Sequence, residues 1–380
     1  MVSQGEFQSR MNKVTTQMSS MGLSALVVID NESHMVGGSI RYLTNFFSSL
    51  PPRIGALIVT PTGATLSVSP GFRGSTFRLA SQTAQVKDVI GTRSGLWGHD
   101  LAQDIWKALD KAKVVGRVGI DGLNVVTQPL ATSIRAALSS FELIEQTGIV
   151  EKLRMFKSPA EWESIREAVR LADIGITALR KAVKADGLVD LSIAEQEYAA
   201  KVQGAEAASV FMGTGMGTGN PWIWGTYHGL QVYKEGDMVS AELNAKFQGY
   251  YGQVCRSFVI GKASAKQKHA YNAAMEAYQK EASMIRPGAI ASEIHAAGNE
   301  VIKKAGLEPL LMRSGHGMGL TIAEGFDIYE GDNTEIQPES YVMIHPVAPL
   351  EEGVVILGNC FRVTETGCEE LGKAEFHLEI

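Results

Sequence analysis

Four long strand-like runs, at 237–247, 250–261, 340–349 and 354–364, constrain the fold of this 380-residue chain more than any other feature. Helical stretches at 191–203, 264–285 and 290–305 alternate with them. Strands interleaved with helix pairs imply an α+β domain whose curved antiparallel sheet is covered by helices. Upstream, helices expected at 6–22, 100–112 and 127–139 alternate with strands at 24–29, 117–120 and 141–146, and a hairpin at 55–60 and 64–68 turns across Pro61-Thr62-Gly63. That alternation reads as a separate α/β domain. Between the two lies Lys157-Ser158-Pro159-Ala160-Glu161, with serine at an N-cap, proline at the first helical position and glutamate at the third. The expected domains are therefore residues 1–150 and 151–380.

Composition narrows the functional classes. Apolar residues make up 45% of the chain, enough for two cores, while charged residues make up 20% and the net charge is −6. No basic stripe is present, so a nucleic-acid partner is not expected. Cys255, Cys360 and Cys368 lack zinc-type spacing, and this sparse, odd count suits a reducing compartment. The opening residues carry no secretory pattern and no stretch approaches a membrane span, so the expectation is a soluble cytoplasmic protein without membrane partners. The run Gly213-Thr214-Gly215-Met216-Gly217-Thr218-Gly219-Asn220 lacks the Lys-Ser/Thr of a phosphate-binding loop and is expected to be a mobile loop.

The chemistry centres on Arg313-Ser314-Gly315-His316-Gly317-Met318-Gly319-Leu320, a histidine set between glycines. With Glu235–Asn244, Gly249–Phe258, Ser340–Pro346 and Leu357–Thr364, it resembles the creatinase, prolidase and methionine aminopeptidase ("pita-bread") family. The resemblance covers about residues 150–370, with weaker similarity in the first domain. It implies a creatinase-like α/β N-terminal domain and a pita-bread C-terminal domain. In the family's metallopeptidases two aspartates, one histidine and two glutamates hold a pair of divalent cations. The matching positions here are Glu242, Gln253, His316, His345 and Gly358. Gln253 is a neutral amide and Gly358 has no side chain, so the bridging carboxylates that such a pair needs are missing.

The expectation is therefore metal-free chemistry without a cofactor, as the resemblance to creatinase implies. A small carboxylate-bearing nitrogen compound would be the substrate and a C–N bond the one cleaved. His345, His316 and Glu242 are the candidate catalytic residues, because histidines titrating near neutrality can be tuned by a neighbouring carboxylate. His228 is a further catalytic candidate, with an exposed loop histidine as the alternative. Gln253, Tyr251, Cys255, Glu324 and Trp222 are candidate substrate contacts. For Cys255 an inert small residue on a strand is preferred to a thiolate nucleophile. Arg53 falls where creatinase keeps an arginine that reaches a neighbouring subunit's site, which implies a homodimer, and a solvated loop arginine is the alternative. A single metal on Glu242, His316 and His345, a lyase reaction on the same fold, and a non-catalytic binding protein are the competing readings.

Overall fold

The computed structural model describes residues 2–31, 37–47, 54–69, 75–94, 98–214, 231–351 and 353–380. It falls into two compact units, Val2–Arg154 and Met155–Ile380.

In the first unit the elements run α1 (Gln4–Ser20), β1 (Ala25–Asn31), α2 (Ser39–Thr44), β2 (Ile54–Thr60), β3 (Gly63–Val68), α3 (Ser75–Thr83) and β4 (Asp88–Ile90). They continue through α4 (Leu101–Lys111), β5 (Arg117–Asp121), α5 (Gln128–Ala137), β6 (Glu142–Glu145) and α6 (Ile149–Arg154). Among the described residues the sheet order is β4-β3-β2-β1-β5-β6. β1 lies antiparallel to β2 and parallel to β5. Six consecutive β1 residues are buried, as a central strand covered on both faces requires. Val27, Ile29 and Ile58 pack with Ile105 and Leu109 of α4. The expected division after residue 150 falls inside α6, which is tied to the first unit. The Asp121 carboxylate accepts from the backbone N–H groups of Gly148 and Val150, and Arg154 donates to the Gly37 carbonyl at 2.8 Å.

The second unit opens with α7 (Pro159–Ala182), α8 (Val189–Lys201), β7 (Ala207–Thr214), β8 (Met238–Phe247) and β9 (Tyr250–Val259). α9 (Ala265–Ala282) and α10 (Ala291–Lys304) follow, then β10 (Gly315–Gly317), β11 (Asp327–Ile328) and β12 (Tyr341–Ile344). β13 (Val347–Leu350), β14 (Gly353–Ile356), β15 (Asn359–Val363) and β16 (Cys368–Glu370) complete it. α7 starts with the foreseen capping box: the Ser158 hydroxyl accepts from the Glu161 N–H, and the Glu161 carboxylate accepts from the Ser158 N–H at 2.9 Å. The N-cap pair fixes where the helix begins, and its apolar stripe fixes which face is buried. Leu171, Ala172, Ile176 and Leu179 pack onto Val239, Ala241, Leu243 and Val254 of the sheet. Each fully buried leucine or valine contributes roughly 2 kcal/mol. Gly252 lets the helix sit this close, since a β-carbon there would lie 2.3 Å from Ala168 and Val169 backbone atoms.

Among the described residues the sheets are β9-β8-β7 and β11-β10-β12-β15-β16, with β13-β14 as a separate hairpin. The strand pairs within these sheets are antiparallel, in keeping with the expected α+β class. The two last strand-like runs of the sequence are each broken in two. The first breaks at His345-Pro346, between β12 and β13, and the second at Leu357-Gly358, between β14 and β15. Proline has no N–H to give to a continuing ladder, so the chain leaves one sheet there and enters the hairpin. Both breaks fall at residues of the candidate site. No helix among the described residues is long and apolar enough to cross a membrane.

Candidate active site

One wall of the site is a face of the β7-β8-β9 sheet. The register sets Glu242 opposite Cys255 and Asn244 opposite Gln253. Strand alternation turns Ala241, Leu243 and Val254 toward α7, so Glu242, Asn244, Gln253 and Cys255 share the other face. The second wall comes from the five-stranded sheet. His316 lies on β10 beside Met343 of β12, and His345 follows β12 directly. An antiparallel bridge between Cys255 and Gly358 joins the two sheets, with both N–H···O=C bonds at 3.0 Å.

The two imidazoles face each other with ring centres 5.2 Å apart, and both are buried. His316 Nδ1 lies 3.1 Å from the Gly317 carbonyl oxygen. A carbonyl can only accept, so Nδ1 carries the proton and Nε2 of the neutral ring is left as an acceptor. The His345 backbone N–H donates to the Ser314 carbonyl at 2.6 Å, while its Nδ1 has no hydrogen-bond partner among the described residues. Across the site Gln253 Nε2 donates to the Glu242 carboxylate.

Burial sets the ionisation of this group. It pushes the Glu242 carboxyl up to about 7, against the lowering effects of the Arg313 charge and the Gln253 hydrogen bond. It pushes His345 down to about 4, with the Arg313 charge acting in the same direction. His316 is held well below the usual histidine range by burial, then by His345 and Arg313. This corrects the sequence expectation that both histidines titrate near neutrality: near pH 7 both rings are neutral and Glu242 is the group that titrates. Removal from water penalises any charge, and neither imidazole gains a carboxylate contact strong enough to offset it.

Two residues of this site escaped the sequence reading. Arg313 Nη1 donates to Asp327 at 2.6 Å, and its charge acts on Glu242, His316 and His345 together. Its signal was its place three residues before His316. Asn244 could have been found from period-two alternation, which sets it on the face that carries Glu242.

Other candidates have different surroundings. Glu324, expected at the substrate, is buried in an ion pair with Lys157 at 2.8 Å and also accepts from the Thr321 hydroxyl at 3.3 Å. Both side chains of the pair are at most 2% exposed, and the Glu324 carboxylate is engaged in neutralising the buried Lys157 ammonium. Tyr251 is buried too: its N–H donates to the Gly319 carbonyl, its own carbonyl accepts from the Tyr341 hydroxyl, and Lys246 stands over its ring. The Cys255 thiol is fully buried and raised well above its usual range, by burial first and by the Glu242 charge second, which leaves no thiolate at neutral pH. His228, Trp222 and Arg53 lie outside the described residues. Among the described residues no group of three or more His, Cys, Asp or Glu side chains is arranged to hold a metal ion.

Comparison with known proteins gives the architecture its relatives. A protein of Sinorhizobium fredii described as an uncharacterized hydrolase/peptidase is 26% identical over 391 aligned residues, covering 98% of this chain and 96% of its own. An Xaa-Pro dipeptidase of Pyrococcus furiosus is 27% identical over 269 residues, covering 69% of this chain and 75% of its own. Among solved structures, an Xaa-Pro dipeptidase from Bacillus anthracis superposes with a TM-score of 0.83 at 22% identity, covering 98% of this chain and 100% of that one. The prolidase from Pyrococcus horikoshii gives the same TM-score at 20% identity, covering 97% and 99%. Residues 163–365 match metallopeptidase family M24, and residues 10–156 match the creatinase/prolidase N-terminal domain. The chain therefore belongs to metallopeptidase family M24, a hydrolase family, in its two-domain pita-bread form with a creatinase/prolidase N-terminal domain.

Proposed function

We propose that this chain is a cytoplasmic, metal-independent hydrolase that cleaves a C–N bond in a small carboxylate-bearing nitrogen compound. The Xaa-Pro dipeptides for which its relatives are named fall within that class. The observation that carries the reading is position 358, where a bridging carboxylate would have to stand. Gly358 has no side chain, and a β-carbon built on it would lie 2.2 Å from the Ile344 carbonyl oxygen and 2.8 Å from the His345 β-carbon. Gln253 brings no charge, and its amide nitrogen is turned to Glu242. What remains is one carboxylate raised to about 7 and two neutral imidazoles beside Arg313. Two dications would meet a single negative charge at most, with a guanidinium nearby. The donor set does not fit such a pair.

The residues present support acid–base hydrolysis. A carboxyl raised to about 7 is matched to both halves of the reaction at neutral pH. As carboxylate, Glu242 takes a proton from water attacking the carbon of the C–N bond. As acid, it returns that proton to the departing nitrogen, so that an acid and an amine leave. The unpartnered Nδ1 of His345 and the Nε2 acceptor of His316 are neutral groups that hold the water and the leaving nitrogen. Arg53 of a second copy is proposed to grip the substrate carboxylate, so the active species is a dimer.

The test is turnover by chelated, metal-analysed enzyme on a panel of ureido acids, carboxamide acids and Xaa-Pro dipeptides. Retained turnover, lost on Glu242→Gln, is expected. Turnover abolished by chelation and restored by a stoichiometric divalent cation overturns the proposal. A fully active monomer in sedimentation removes the role of Arg53.

A further inference from the structure

Among the described residues, three polar atoms on the wall formed by β8 and β9 lack partners. Asn244 is 1% exposed and Gln253 is fully buried, and they face each other in register two pairs along from Glu242, on the same face of the sheet. Asn244 Oδ1, Asn244 Nδ2 and Gln253 Oε1 make no hydrogen bond among the described residues. The orientation of the Gln253 amide follows from chemistry: Glu242 accepts from its nitrogen, so the oxygen must be the atom left over. Two buried amides kept only for packing would be expected to bond to each other or to the backbone, because an unmet buried polar group is strongly unfavourable.

We propose that Asn244 and Gln253 form a subsite for a planar carboxamide or ureido group of the substrate. The complement is defined atom by atom. The two orphaned oxygens require two N–H donors, and the orphaned Asn244 nitrogen requires one acceptor. A carboxamide or ureido group offers an NH2 and a carbonyl side by side, which meets all three. A carboxylate has no N–H, and a guanidinium or ammonium has no acceptor. Seating the group here sets its carbon beside Glu242, the residue that moves the proton in the function proposed above. The inference rests on that reading for its catalytic meaning, while binding itself can be measured without turnover.

Calorimetry and thermal unfolding of the full chain with four probes test it. N-carbamoylglycine and succinamate supply the complementary group, while succinate lacks the N–H donors and guanidinoacetate lacks the acceptor at that end. Wild-type protein is expected to bind the first two saturably and the second two about tenfold more weakly or worse. Asn244→Leu, close in volume, should weaken N-carbamoylglycine by about tenfold or more, yet melt no lower than wild type without ligand, since two unmet atoms are gone. Asn244→Asp, which removes the donor, should also lose the probe and serves if the leucine variant does not fold. Equal binding of succinate, an unchanged affinity in either variant, or no binding of the first two probes overturns the subsite. So does a lower melting temperature in Asn244→Leu with no probe bound to wild type, the signature of amides satisfied by buried water alone. Probe binding by a wild-type protein that turns over no member of the panel would sink the hydrolase and leave the subsite standing, while normal turnover by Glu242→Gln would remove only the proton transfer assigned to Glu242.

Discussion

Gly358 lies so close to His345 that a β-carbon added to it would come within 2.8 Å of the histidine's own β-carbon. The glycine is also held by the two-way backbone bridge to Cys255, so it has little room to move aside. Position 358 is a structural commitment. The backbone around it has closed over the space that a larger side chain would occupy.

Restoring a carboxylate there should therefore fail on packing grounds. Gly358→Ala and Gly358→Glu are expected to destabilise the fold by about 2 kcal/mol and by rather more, respectively, as overpacking against backbone does. Chemical denaturation measures this directly. An unchanged midpoint for the glutamate variant would mean that the site is roomier than the Ile344 carbonyl allows.

The pH dependence has a definite sign. Glu242 has a folded value near 7 against an ordinary 4.5, so between those limits the folded state holds the extra proton. Stability from this group is present below about pH 4.5 and is lost as pH rises through 7. His345 runs the other way: its folded value near 4 lies below the ordinary 6.5, so its contribution grows from pH 4 to 6.5. Glu242→Gln should abolish the falling limb, and His345→Gln the rising one, in urea midpoints measured across that range. For activity, kcat/KM should rise through pH 7 as Glu242 ionises, with no histidine step near 6.5. A histidine-like step that survives Glu242→Gln would return the proton transfer to the imidazoles.

Lys157 and Glu324 form a buried pair, so removing one partner strands the other. Lys157→Met should destabilise the protein by about 3 kcal/mol or more, and Lys157→Met with Glu324→Leu should recover much of it. Equilibrium unfolding of the single and double variants decides the matter. A Glu324 variant of normal stability with a raised KM would restore its place at the substrate.

Thiol chemistry separates Cys255 from a nucleophile. The native protein should react slowly with iodoacetamide at Cys255 and Cys360, since burial raises both thiols, Cys360 to about 12. Cys255→Ala should keep turnover within about threefold of wild type, as expected for a packing residue. Rapid labelling of Cys255 that abolishes activity would reverse this assignment.

Much of this protein was legible in the chain itself. The Ser158-Pro159-Ala160-Glu161 start fixed α7, because a helix N-terminus is satisfied by residues three positions apart. The positions 242, 253, 316, 345 and 358 could be picked out as a set because their strands carry local patterns around each of them. Local pattern is also why α2, α6 and β7 are not expected from the sequence: two are only six residues long, and the third ends within the glycine run that begins at Gly213. What the chain could not reveal was environment. The breaks at His345-Pro346 and Leu357-Gly358, the burial of Glu324 against Lys157 and the unmet atoms of Asn244 all depend on partners far away in sequence. So does the exchange of roles between histidine and glutamate, since a residue type sets the ordinary ionisation range and only desolvation and distant charge decide how far it moves.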